Sequence, residues 1–387
     1  MPIQNAFTLT ANEIFNTLAN MYISQQVFAD NLGKYQTLVD KARVDGTLYG
    51  DTKLYYSTDV LESHEWGADT EATNLLALDR PKDPEVQAIK LDTFRQIRLT
   101  VDNYLTKRGF ATEGAFGDFN SVMLGWIRET KRVYDGTLYN TFIGTDETSV
   151  GKQQLTITTN ADGNSAGENI ARAMADLFTD MGDYTTSYND YGHLRSYRED
   201  QIKVIWNASY VNAIKKIDLP SIFHNENLEN TFVGDVLPKR YFGVALTSAN
   251  ISTYSASTPT TNKPIDSDDG AYTPGTNNAN GCVRSIYEAT VTVSGTDYHV
   301  FPGDEIPAGA TVKASGDFEL GTVYIEDASI ICKVLTNLPP YMSAFEAGTT
   351  FFNPRSLTEN HYLTWGHNSL VHLKNYPMIT IRAVVSA

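Results

Sequence analysis

The sequence predicts an α+β fold built from several substructures, and three observations lead there. An extended segment with alternating apolar residues begins at Gln87 and runs, after a short loop, into one long amphipathic helix that ends near Gly144. Helical and strand-like periods then interleave between about 151 and 244. Short strand-like runs broken by turns fill 283–335, and the chain closes on further strands. A strand arm feeding a long helix reads as a scaffold for assembly, with no cluster of chemical groups on it.

The first element expected is a helix from Ala11 to Leu32. Thr10 and Glu13 form a capping box, Ile14, Leu18, Met21, Tyr22 and Phe28 supply the apolar stripe, and Gly33 closes it. Next comes a long hairpin over about 47–105. Ile89, Leu91, Ile97, Leu99 and Val101 alternate with Lys90, Arg98 and Thr100, with a bulge expected near Phe94. Its partner strand is expected at Thr52 to Val60 (TKLYYSTDV). The hairpin has little apolar content beyond its strands, so it is expected to project and to be stabilised by something it touches.

The long helix is expected from Asp118, as N-cap, to Ile143, with Gly144 as a left-handed C′ residue. Phe119, Val122, Met123, Trp126, Ile127, Val133, Tyr134, Leu138, Phe142 and Ile143 form its apolar stripe, and Ser121, Arg128, Arg132 and Asp135 its opposite side. Gly125 and Gly136 each cost about 1 kcal/mol against Ala, so packing must hold it. A further helix starts at Ser165, whose capping box uses Glu168; Ile170, Ala173, Met174, Leu177 and Met181 line one face. A buried strand is expected at Ile202 to Ala208 and a short helix at Tyr210 to Ile217. Residues 247–281 are rich in Ser, Thr, Asn, Pro and Gly and read as a surface excursion. Residues 245–335 read as a β-rich inserted module that includes ASIICKVL, and the last strands are HYLTWGH, SLVHLKN and MITIRAVV.

Composition narrows the function classes. The 387 residues carry 30 basic and 46 acidic side chains, a net charge of −16. That balance argues against non-specific nucleic-acid binding, which needs a basic surface to displace counterions. Cys282 and Cys332 define neither a disulfide framework nor a metal motif. No signal peptide and no membrane span is evident, so synthesis in the cytoplasm is the default.

Four patterns mimic chemical sites. Gly163-Asn164-Ser165-Ala166-Gly167 matches the nucleophile elbow of serine hydrolases, with His299, His361, His367 and His372 downstream. Ser165 is already explained as a helix cap, and the alternating pattern of a hydrolase sheet is missing. The run from Gly144 to Lys152 has the wrong glycine spacing for a phosphate loop, and Gln153 stands where Ser or Thr would bind magnesium. Asp266, Asp268 and Asp269 before Gly270 miss calcium-loop spacing. His361, His367 and His372 are spaced for mixed strand faces, poor for joint zinc ligation. No catalytic residue, cofactor or metal is expected.

The order of parts resembles the major capsid proteins of tailed double-stranded-DNA bacteriophages, the Hong Kong 97 fold. VDNYLTKRGFATEGAFGDFNSVMLGWIRETKRVYDGTLYNTFIGT (Val101 to Thr145) carries the resemblance best, supported by NSLVHLKNYPMITIRAV (Asn368 to Val384). It implies an N-terminal arm (1–46), an extended loop (47–105), a peripheral domain with a spine helix (106–150 and 336–387), an axial domain (151–244) and the inserted module (245–335). It also implies an icosahedral shell of hexamers and pentamers, a portal and other virion proteins as partners, and enclosed double-stranded DNA bound without sequence specificity. The chain would be made in the host bacterial cytoplasm and end in the virion, with no membrane involved. Some members form a Lys–Asn isopeptide bond, and no pair can be placed here. A cellular nanocompartment shell of the same fold and a serine hydrolase using Ser165 are the alternatives.

A contact scheme follows from the charges. The far end of the hairpin is acidic (Asp59, Glu62, Glu65, Asp69, Glu71), and the long helix carries Arg128, Lys131 and Arg132. The acidic loop of one subunit is expected against the basic helix face of its neighbour. Exposed pairs give only about 0.2–1 kcal/mol each, so they set register while Leu54, Tyr56, Ile97 and Leu99 supply most of the affinity.

Overall fold

The structure is a computed structural model that describes residues 38–45, 52–63, 80–102, 113–146, 154–158, 166–211, 235–254, 265, 270, 272–273 and 282–384. The expected Ala11–Leu32 helix, Glu65, Asp69, Glu71, Ser165 and the Asp266–Asp269 run lie outside them.

In chain order, a short helix Leu38–Ala42 precedes β1 (Arg43–Asp45), β2 (Thr52–Ser57) and the 18-residue β3 (Glu85–Asp102). Then come α1 (Glu113–Gly144), β4 (Thr145–Asp146), β5 (Gln154–Thr158) and α2 (Ala166–Gly182). After β6 (Lys203–Asn207), β7 (Asp235–Leu237) and β8 (Gly243–Ala245) follow β9 (Val283–Ser285), β10 (Ala289–Val293) and β11 (Thr296–Val300). The rest is β12 (Val312–Lys313), β13 (Phe318–Glu319), β14 (Val323–Glu326), β15 (Ile330–Leu335), β16 (Tyr341–Asn353), β17 (Thr358–Asn368) and β18 (Met378–Val384).

The chain divides into two compact units. One comprises Met1–Thr52, Lys90–Gly136 and Pro340–Ser369; the other comprises Lys53–Ile89, Thr137–Pro339 and Leu370–Ala387.

In the first unit, β16 and β17 form a long antiparallel hairpin, and β17 pairs antiparallel with β3 from Thr358↔Asp102 to Asn368↔Leu91. The strands of this sheet run in the order β1-β16-β17-β3-β2, and β2, which from Lys53 on is assigned to the other unit, lies beside β3 where the sequence expects its partner. The register slips between His367 and Asn368 and leaves Asp92 as the extra residue, two positions before the bulge expected near Phe94. The ribbon strand β3 is thus not one arm of a lone hairpin; it is enclosed on its other side by the strands that follow Pro340.

The second unit is built on the sheet β5-β18-β15-β6-β7. The helix α2 lays Ile170, Met174, Leu177, Phe178 and Met181 on it, against Val204, Trp206, Ile331, Val334, Ile379 and Ile381. Those helix residues recur every three or four positions, as one buried face requires. A smaller sheet, β4-β8-β14-β9, the hairpin β10-β11 and the parallel pair β12-β13 surround a second core that includes Val283, Val291, Val300, Val312, Phe318 and Val323. The sequence assigned ASIICKVL to that smaller module. Its β15 instead runs between β18 and β6, because all six of its residues are buried and need cover on both faces. The closing strand β18, expected with the peripheral part, likewise pairs with β5 and β15.

α1 differs from its expectation at both ends. It begins at Glu113, five residues before the expected cap Asp118, and its 32 residues span about 48 Å. Gly144 is its last residue, and no left-handed turn is involved. A Cβ there would meet the Tyr241 carbonyl oxygen at 2.1 Å, so close approach of two backbones is what requires glycine.

Candidate assembly surface

From Gln87 on, the odd-numbered residues of β3 are the less exposed ones, and Arg95 among them reaches α1. Arg95 Nε donates to Tyr134 Oη at 3.3 Å with its guanidinium over the Tyr134 ring, and Tyr134 meets Trp365 edge-on. The His367 Nδ1–H donates to the Asn368 carbonyl, which leaves Nε2 to accept from Tyr134 Oη at 2.9 Å. Burial is the main cause that holds His367 below its ordinary pKa. Ile97 and Leu99 lie on the same face of β3 as Arg95 and are half-buried, so part of their apolar surface is already covered within the chain.

The buried side of α1 carries Ile127, Lys131, Tyr134, Asp135, Leu138 and Tyr139. Lys131 Nζ lies 3.2 Å from Asp135 Oδ2 and 3.3 Å from Glu346 Oε2. Asp135 also accepts from Tyr341 Oη at 2.5 Å and from Arg43 Nη2 at 3.3 Å. Lys131 therefore belongs to a buried ion cluster and not to the exposed basic face the sequence assigned it. Asp135, assigned to the solvent side, is buried with it, while Trp126 and Val133, assigned to the apolar stripe, are exposed. The apolar pattern misleads because an ion pair takes two positions of the buried face. Arg128 is exposed, and Arg132 is half-exposed with Nη2 3.8 Å from Asp40 Oδ2.

β2 turns Leu54 and Tyr56 outward, 50% and 64% exposed. Val60, Leu61 and Glu62 after it are exposed, as is Val86 on β3. A single-residue alternation produces this: Lys53 and Tyr55 are half-buried and Ser57 is buried.

The foot of this strand is held in a polar clamp. Ser57 Oγ donates to Asn375 Oδ1 at 2.6 Å and lies 2.8 Å from His193 Nδ1. Arg195 Nη2 donates to the Thr58 carbonyl at 2.5 Å and to Ser57 Oγ at 3.2 Å. Asp59 accepts the backbone N–H groups of Leu194 and Val60, and those hydrogen bonds hold its carboxyl below the usual range. Gln87 of β3 is fixed in turn by the His372 carbonyl and the Lys374 N–H. Asp59 is therefore engaged within its own chain; Glu62, the other acidic candidate among the described residues, takes no part in this clamp.

The outer end of the β16–β17 hairpin is the second exposed apolar region. Phe351 is 61% and Phe352 47% exposed, and Leu357 in the connecting turn is exposed with φ +53°. The sequence reading did not single out these residues or the clamp. The uncharged run GTTFFN before a Pro-containing turn was the available signal for the hairpin; the clamp joins residues up to 318 positions apart and leaves none.

The histidines of the hydrolase alternative are each engaged elsewhere. His299 lies 3.0 Å from Glu288, His361 bonds Thr350, His367 bonds Tyr134, and His372 lies 2.7 Å from Asp190. Among the described residues no group of His, Cys, Asp or Glu is placed to hold a metal, and no helix is long and apolar enough to cross a membrane.

No family model and no curated protein matches the chain. Solved structures do. The capsid structure of Staphylococcus phage Andhra superposes with a TM-score of 0.56 at 11% identity, covering 93% of this chain and 88% of that one. A structure of the head fibre and inner core protein gp22 of native bacteriophage P68 gives 0.52 at 12% identity, covering 90% and 87%. The chain has a phage capsid fold. At such identity the likeness lies in the path of the backbone and says nothing of the exposed residues above.

Proposed function

We propose that this chain is the major capsid protein of a tailed double-stranded-DNA phage, assembling into an icosahedral shell of hexamers and pentamers. The observation that carries the reading is a likeness to phage capsid structures spread over about nine-tenths of both chains. The exposed apolar residues of β2 agree with it, since monomers seldom leave such side chains grouped in the open.

In this reading 47–105 is the extended loop, α1 is the spine helix of a peripheral domain that takes in β16 and β17, and α2 with its sheet forms the axial domain, now including β15 and β18. Leu54 and Tyr56 are the principal contacts with the next subunit. Of the charged contacts, Glu62 against Arg128 is the proposed pair, since Asp59 and Lys131 have partners within the chain. The portal and other virion proteins are further partners, and the enclosed DNA is held without sequence-specific contacts, in keeping with a net charge of −16.

Negative-stain microscopy of the purified protein tests the proposal. Closed particles tens of nanometres across are expected, with nucleic acid inside those recovered from infected cells. Particles filled with a protein cargo would transfer the reading to a nanocompartment, and a protein that stays monomeric at high concentration would refute both. Arg128→Glu should reduce particle yield in a salt-dependent way without unfolding the subunit, as expected for a contact that steers association.

A further inference from the structure

Among the described residues, the long strand β16 has an open edge. Its first three residues pair with β1, Arg43↔Tyr341 to Asp45↔Ser343. Beyond a register shift between Ala344 and Ala347, residues Ala347 to Asn353 pair with β17 on one side. On the other side no strand pairs with them among the described residues. An edge of this kind presents a row of backbone donors and acceptors, and proteins normally blunt it with Lys, Pro or a bulge. Here the run Ala-Gly-Thr-Thr-Phe-Phe-Asn contains no charge and no proline. Residues 348–352 are all exposed, including both phenylalanines. Leu357 in the adjoining turn adopts a left-handed conformation that leucine rarely takes, with its side chain exposed.

We infer that this edge is completed by the same edge of a second copy, antiparallel across a two-fold axis centred on Thr350. The inference rests on the shell reading above and names a contact that reading leaves open. The sequence is self-complementary about that centre. Phe351 falls opposite Thr349 of the second copy, an aromatic–β-branched pair of the kind that stabilises antiparallel strands. Phe352 falls opposite Gly348, where an aromatic ring covers the bare backbone of a glycine. No like charges oppose each other. Because the two phenylalanines point to opposite faces of the sheet, the joined strands cover one on each side. A two-fold contact of identical strands closes on itself and does not propagate into a fibre.

The test uses the full chain as wild type, Thr350→Cys and Thr349→Cys, assembled into particles and mildly oxidised before non-reducing electrophoresis. Residues directly opposite in antiparallel strands lie about 4.5–5.5 Å apart at Cα, within disulfide reach, whereas residues on the diagonal lie beyond about 7 Å. Thr350→Cys is expected to run mostly as a covalent dimer, at least tenfold above Thr349→Cys. Wild type, with Cys332 buried and Cys282 half-buried, sets the baseline. A dimer fraction in Thr350→Cys particles no higher than in Thr349→Cys overturns the pairing and leaves the shell reading intact. Wild-type protein that never forms particles overturns the shell reading itself, and a Thr350→Cys dimer in solution would then still support the edge contact. Should the cysteine variant fail to assemble, Thr350→Lys replaces it. Two lysines facing at the axis are expected to lower particle yield at least tenfold, with recovery at high salt, and an unchanged yield overturns the inference.

Discussion

The two large sheets of this molecule treat apolar surface in opposite ways. In the sheet of β5, β18, β15, β6 and β7, the central strand β15 is buried at every position, and α2 covers the neighbouring core. In the sheet of β1, β16, β17, β3 and β2, the strand β3 alternates exposed and half-buried residues along most of its length, and the outer half of β16 is exposed on both faces. The first sheet is finished by its own chain. The second leaves Leu54, Tyr56, Phe351 and Phe352 exposed among the described residues. Substitutions in the closed sheet should therefore cost the stability of the subunit, and those in the open sheet should cost association.

The largest effect is expected in the closed sheet's buried charge cluster. Lys333 Nζ donates to Thr380 Oγ1 at 2.7 Å and lies 3.7 Å from Asp146, which also receives Arg382 Nη2 at 2.7 Å; Arg382 reaches on to Asp327. Burial by itself would raise the Asp146 carboxyl, yet Lys333 and Arg382, with hydrogen bonds from Arg382 and Thr380, outweigh it and hold the group below the usual range. Asp146→Ala leaves the wholly buried Lys333 uncompensated and should destabilise the subunit by about 3–5 kcal/mol in chemical denaturation. A depressed carboxylate contributes stability above its unfolded pKa, about 3.9, and loses it as pH falls through the folded value. Wild-type stability should accordingly drop on acidification below about pH 4, and Asp146→Asn should remove that part of the dependence.

A smaller change sharpens the same contrast. Ile381→Val removes one methylene from a fully buried position of β18 and should cost about 0.5–1.5 kcal/mol. The open sheet gives its own, weaker pH signal through His367. With a folded pKa lowered by burial, the imidazole is charged more readily in the unfolded chain. Stability is then fully present above about pH 6.5 and is lost as pH falls from there through the folded pKa. Proton titration of His367 by NMR should find a pKa below 6.5, and His367→Gln should flatten the stability profile in that interval.

How far the sequence spoke for itself follows the same division. The α+β class, the strand partner of β3 and the buried face of α2 were legible because each is written in local periodicity. The interior of α1 was not, since Lys131 and Asp135 look like surface residues until Arg43, Tyr341 and Glu346 are brought to them from distant segments. The placement of β15 was missed for a related reason. A run with five apolar residues in six, broken by Lys333, states that both faces are covered and is silent about which strands cover its edges. Gly144 was misread because close approach to Tyr241 is a tertiary fact that a helix-end rule imitates. The assembly candidates divided likewise: Leu54 and Tyr56 emerged on an open face through simple alternation, while Asp59 and Lys131 found partners within the chain.

The smallest expected effect on stability decides the comparison. Leu54→Ser and Tyr56→Ser replace side chains that are half or more exposed, so each should shift the unfolding free energy of the isolated subunit by less than about 0.5 kcal/mol. The clamp of Ser57, His193, Arg195 and Asn375 holds the foot of β2 without using either side chain, and the strand should keep its place. If the open sheet is finished by a neighbour, the double variant should nonetheless fail to assemble, because two apolar side chains that would be buried between copies become polar. Sedimentation at matched concentrations separates the cases. Normal particles from a normally folded double variant would mean that β2 is merely solvent-exposed, and the contrast between the two sheets would then be one of burial without consequence for assembly.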